Sequence, residues 1–197
     1  MITISCCVLR TDTAIIQETA ASSEIKTSLT LKEAIKAAHE EALKWNKGAL
    51  LYNGSSVDKD QTQAGLDGRR RHWNIQFGIP GKTDWYLVTI RHGRVQDKVH
   101  LPNELDVMPE NYFINSVKAF NYDSPDLLIR GKHMVEMYPG DLFAKGYNFG
   151  FTKDPVKDIA LVKVIGWNRS KKSMIYLMFD AKTGKLDQYF KREQYKN

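Results

Sequence analysis

Hydrophobic residues in this chain change their period twice, from helical to alternating, and that order limits the folds open to it. Leu31, Ala34, Ile35, Ala38 and Ala42 recur at helical spacing. Thr30 followed by Glu33 fits a capping box, and Leu29 with Ala34 fits a hydrophobic staple. Trp45 closes this helix before Asn46-Lys47-Gly48. The period then becomes two. Ala49 to Tyr52 reads as a short strand, and 53–68 as a polar loop. Trp73, Ile75 and Phe77 alternate with His72, Asn74 and Gln76, and Trp85 to Ile90 is rich in β-formers. A turn at His92-Gly93 leads into a third strand at Arg94-Val95-Gln96.

The order then repeats. Residues 100–109 carry two prolines and mark a boundary. Tyr112, Phe113, Ser116, Val117 and Phe120 fit a helical face, and Ser124-Pro125-Asp126 is a helix start with Ser124 as its cap. Leu127, Leu128, Met134 and Met137 supply apolar positions up to Tyr138-Pro139-Gly140. Strands follow at 147–151, 160–167 and 174–179, the last running past a turn at 180–184 to Tyr189-Phe190. A helix followed by runs of strands with short turns predicts an antiparallel α+β fold. The reading gives a tail or tether over 1–28, a first unit over 29–105 and a second over 106–197.

Charge is unevenly placed. Residues 1–150 hold 18 Lys+Arg and 18 Asp+Glu, whereas residues 151–197 hold 11 and 5, which accounts for the net +6. The basic excess of the C-terminal strands reads either as an acidic partner or as a solvated, lysine-rich sheet edge. No apolar run reaches the 18 or more residues of a membrane-spanning helix. Both cysteines, Cys6 and Cys7, lie in the first seven residues, so 8–197 holds no disulfide framework and no thiol metal site. The apolar stretch ending in Ser5-Cys6 reads either as the end of a lipoprotein signal whose basic start is missing, with 11–28 as the tether behind it, or as a frayed cytosolic N-terminus.

Leu29-Thr30-Leu31-Lys32-Glu33-Ala34-Ile35-Lys36-Ala37-Ala38 resembles the Leu-Thr-x-x-x-Ala-x-x-x-Ala opening helix of PepSY domains. Met174 to Leu186 resembles the closing hairpin of the same family, through Asp180-Ala181-Lys182-Thr183-Gly184-Lys185-Leu186. The two matches cover about 25 residues. Ile90 to Val95 lacks that turn in the first unit, and the second helix lacks the opening. The resemblance implies two cystatin-like units, each a helix packed on a curled antiparallel sheet. It also implies a secreted or cell-surface location in a bacterium, and a role in binding or in peptidase inhibition without catalytic residues.

Templates for chemistry fail on their spacing. His39-Glu40-Glu41 begins a zinc helix, but residue 43 is Leu. Asp58-Lys59-Asp60 begins a calcium loop, but Gln63 stands where glycine is required. There is no phosphate-binding glycine loop and no Gly-x-Ser-x-Gly elbow. The expectation is therefore a chain that is not an enzyme, with no catalytic residues, no cofactor and no metal. Its partner is expected to be a peptide or protein, or else an anionic polymer, with membrane contact only through an N-terminal lipid anchor. Two sets of residues are candidates for ligand binding. Arg69, Arg70 and Arg71 with Trp73 would hold an anion or nucleic acid, together with the C-terminal lysines. Trp85, Tyr147 and Trp167 would line a sheet face that accepts a peptide. Core packing is the competing account of Trp73 and of the aromatic set.

Overall fold

A computed structural model describes residues 27–57, 64–103, 106–141 and 143–194. Helix α1 (Leu31–Trp45) precedes strands β1 (Leu50–Ser56), β2 (Trp73–Gly78), β3 (Trp85–Arg91) and β4 (Arg94–Leu101). Helix α2 (Ser124–Met134) precedes β5 (Asn148–Asp154), β6 (Ile159–Trp167), β7 (Ser173–Asp180) and β8 (Leu186–Glu193). All eight strands form one sheet in the order β4-β3-β2-β1-β5-β6-β7-β8. Every pairing is antiparallel, including the β1–β5 seam. The expected α+β architecture is present, with four strands after each helix where the sequence suggested three.

The capping box at α1 forms as its residue types dictate: the Thr30 hydroxyl accepts from the Glu33 amide, and the Glu33 carboxylate accepts from the Thr30 amide. The other end-of-helix amides are met from elsewhere. Leu31 N–H donates to Ser124 Oγ (2.9 Å) and Lys32 N–H to Asp123 Oδ1 (3.0 Å). Ser124 Oγ in turn donates to the Gly68 carbonyl (2.6 Å). So Ser124 is not the cap of α2 that its Ser-Pro-Asp context suggests. Asp123 is that cap, and Ser124 is buried as a cap for α1.

Three other expectations change. β1 runs on to Ser56 with an irregularity between Leu51 and Asn53, so 53–56 is strand rather than loop. The stretch 112–120 is two single-turn 3-10 helices, Glu110–Tyr112 and Val117–Ala119, and not a helical face. Met134 lies exposed at the end of α2, where Leu127, Leu128 and Gly131 face inward. The tail residues 1–26, with Cys6 and Cys7, and Asp58, Lys59, Asp60 and Gln63 fall outside the described residues.

Both helices lie on one face of the sheet. Trp45 stacks on Tyr86 of β3, with ring centroids 4.8 Å apart. Gly131 of α2 lies so close to β7 that an added Cβ would stand 2.7 Å from Leu177 Cδ1. A register row beneath the helices runs Val88, Ile75, Gly54, Phe151, Val162, Phe179, and every member is buried. The neighbouring row alternates to the other face. No helix among the described residues is long and apolar enough to cross a membrane.

Candidate functional site

The face away from the helices carries a row that crosses all eight strands: Asp97, Thr89, Asn74, Ser55, Gly150, Lys163, Met178, Gln188. Gly150 and Met178 apart, these residues are half-buried or exposed. Seven inter-strand steps of about 4.8 Å make the face roughly 34 Å wide. Its ends are partly roofed. Phe113 packs on Trp85 at 5.7 Å between ring centroids, and Lys157 of the β5–β6 turn pairs with Asp187 of β8 at 2.7 Å.

The two halves of this face differ in chemistry. On β1 to β3 it is polar. Thr89 Oγ1 donates to Asn74 Oδ1 (3.1 Å), and Val57, His72, Asn74, Thr89, Ile90 and Arg91 line a cavity of about 150 Å³. His72 meets His92 edge-on, with ring centroids 4.9 Å apart. On β6 to β8 the face is apolar around Lys163, with a second cation, Arg192, exposed at its β8 edge. Ile165 pairs with Tyr176, which pairs with Phe190, and the Tyr176 and Phe190 rings stack at 4.8 Å. Phe190 is 43% exposed. Lys163 stands between Gly150 and Met178. Burial lowers its pKa, because the half-covered ammonium has lost water. It has no ion pair and no hydrogen bond among the described residues.

The residues expected to bind are mostly interior. Trp73 is 0% exposed and donates from Nε1 to the Arg70 carbonyl (3.1 Å). Arg70, also 0% exposed, donates to the carbonyls of Lys145 (2.9 Å), Tyr147 (3.3 Å) and Val57 (3.2 Å), so it ties loops together. Arg69 is paired with Glu33 and donates to the Ser28 carbonyl (3.1 Å). Arg71 is exposed, and its carbonyl accepts from the Gly93 amide (3.2 Å), beside the β3–β4 turn. Tyr147 is buried with its hydroxyl donating to the Met137 carbonyl (3.0 Å), and burial raises its pKa. Trp85 and Trp167 hold open-face register positions but are covered, Trp85 by Tyr52 and Phe113, while Phe143 sets its ring against Trp167.

The core account therefore fits Trp73, Trp85, Tyr147 and Trp167. The arginines do not form one patch with the C-terminal lysines, because β2 and β8 are five strands apart, about 24 Å. The aromatics that do face outward, Tyr176 and Phe190, were passed over in the sequence. Their signal is the phase of β7, where Ile175, Leu177 and Phe179 belong to the helix side and Tyr176 does not.

A second cavity, about 270 Å³, lies beside the 3-10 segment, with Asn115, Ser116, Lys153, Asp158 and Lys182 among its lining. Its Lys153 is already paired with Asp158 at 2.6 Å. Among the described residues no three His, Cys, Asp or Glu are grouped to hold a metal.

The geometry defines an antiparallel α+β protein with both helices on one side of a broad sheet. In sequence the chain matches no protein-family profile and no curated protein at a significant level. In structure it is similar to a candidate lipoprotein from Clostridium difficile 630, with a TM-score of 0.50 at 12% identity, covering 79% of this chain and 90% of that one. At that identity the likeness concerns the fold alone.

Proposed function

We propose that this chain is a non-catalytic binding or peptidase-inhibitory module of the bacterial cell surface, which seats a protein or peptide on the helix-free face of its sheet. The observation that carries the reading is the Tyr176–Phe190 stack beside Lys163, which has no ion pair among the described residues, on the face opposite α1 and α2. Aromatic rings next to a partly desolvated charge are what binding hot spots are made of. Taken as about 34 Å by 20 Å, the face offers roughly 700 Å², close to the ~800 Å² per partner of a standard interface. The surface location is supported by the fold likeness to a candidate lipoprotein. A tandem, PepSY-like origin is supported by helix-plus-four-strand order occurring twice and by the Asp180–Gly184 turn. There Asp180 Oδ1 accepts from the Lys182 and Thr183 amides, and Gly184 adopts φ +66°.

The alternative, an anionic polymer held by 69–73 and the C-terminal lysines, has Arg71 and the neighbouring Arg94 as its exposed members at that corner. Photo-crosslinking in the source cells separates the readings. A benzophenone side chain at Ser55 or Gln188 is expected to give discrete protein adducts, and one at Lys36 on the outer side of α1 is not. Adducts from Lys36 alone would count against the docking face. Salt-sensitive retention on heparin that disappears in Arg71→Ala/Arg94→Ala would support the polymer instead.

A further inference from the structure

Several lysines elsewhere on the two faces and edges of the sheet are satisfied within the protein. Lys98 is 3.1 Å from Glu41, Lys153 is 2.6 Å from Asp158, and Lys157 is 2.7 Å from Asp187. Lys163 has no such carboxylate among the described residues, although it sits near the middle of the sheet. The acidic residue two places along the facing strand on the same face, Asp180, already accepts from two amides of its own turn at 2.7 and 3.0 Å. The stem of Lys163 rises between Gly150, which has no side chain, and Met178, with Ile165 next along its own strand. A cation held part-way out of water against apolar neighbours gains more from a carboxylate than a fully solvated one does.

Resting on the docking-face reading, we infer that Lys163 receives the carboxylate of a partner's Asp or Glu, flanked in the partner by apolar side chains that meet Ile165, Met178 and the Tyr176–Phe190 stack. A polyanion fits this face poorly. A phosphate chain is held by repeated, closely spaced cations along its path; on the row through Lys163 the neighbours are Ser55, Gly150, Met178 and Gln188, and the other cation of this half of the face, Arg192, lies four residues along the outer strand from Gln188.

The test uses the full chain and a displayed library of random twelve-residue peptides. Peptides enriched on the wild type are expected to carry Asp or Glu beside aromatic or aliphatic residues. They should bind Lys163→Met about tenfold more weakly and keep most of their affinity for Lys163→Arg. Selection on Lys163→Glu should enrich Lys or Arg at the same place. Peptides that lose binding in Tyr176→Ala or Phe190→Ala but bind Lys163→Met normally, or carry no acid, would overturn the inference and leave the docking face standing. Peptides indifferent to Tyr176→Ala, Phe190→Ala and Lys163→Met alike, or no enrichment at all, would overturn both. Melting curves of each variant confirm folding, and Lys163→Arg keeps the comparison decisive if Lys163→Met fails to fold.

Discussion

At Lys163 the sheet leaves a cation where water is scarce and, among the described residues, no carboxylate is paired with it. The lowered pKa fixes the sign of its effect on stability. Between that lowered value and the ordinary 10.5, the unfolded chain holds a proton that the folded chain has released, so stability rises with pH across the window. Below the window the cost is present in full. Lys163→Met is therefore expected to be more stable than the wild type at pH 7 by about 1 kcal/mol, and to lack the alkaline rise. Urea unfolding from pH 7 to 10.5 measures both, and a Lys163→Met variant less stable at pH 7 would show that the ammonium is satisfied. His39 behaves alike at acid pH. Burial against the sheet lowers its pKa, so its contribution is lost as pH falls from 6.5 through that lower value. Trp73, Trp85, Tyr147 and Trp167 show why aromatic content alone misleads at this scale: large rings supply both cores and interfaces. Only the register, with its covering segments, says which ring serves which purpose.

The elements most legible in the sequence are those with one wet and one dry side. α1 announces itself through Thr30 and Glu33, β2 through strict alternation, and β3 through its run of β-branched and aromatic residues. β4 and β8 are edge strands, mostly exposed and polar, and their pattern carries little hydrophobic period; hence a strand read at 94–96 extends to Leu101, and β8 merges with β7 in a sequence reading. The 110–119 segment spaces its aromatics as a helix would, yet Phe113 and Ile114 pack against the sheet from single turns. Ser124 was legible as a cap but not as whose, since its acceptor and donor roles join residues 56 and 93 positions away. Ser124→Ala would leave the Leu31 amide and the Gly68 carbonyl buried without it. A loss of about 1–3 kcal/mol by denaturant unfolding is expected, and a loss below about 0.5 kcal/mol would mean that other groups cap α1.

For the whole molecule, the sequence left open whether 29–105 and 106–197 are one domain or two. The hydrophobic core runs from Leu31 and Trp73 through Phe151 to Leu177 and Phe179 as one cluster, and β1 and β5 join the halves within one sheet. A single cooperative transition is expected, with far-ultraviolet circular dichroism and tryptophan fluorescence coinciding; two separated transitions would mark two domains. The same continuity holds the helix-free face in one piece, and the proposed function stands on that face. The most direct measurement is a two-dimensional NMR titration with an acidic peptide selected on the full chain. Shifts gathered at Lys163, Ile165, Tyr176, Met178 and Phe190 are the result this account requires. Shifts gathered on the outer sides of α1 and α2, with those five residues unmoved, would contradict it.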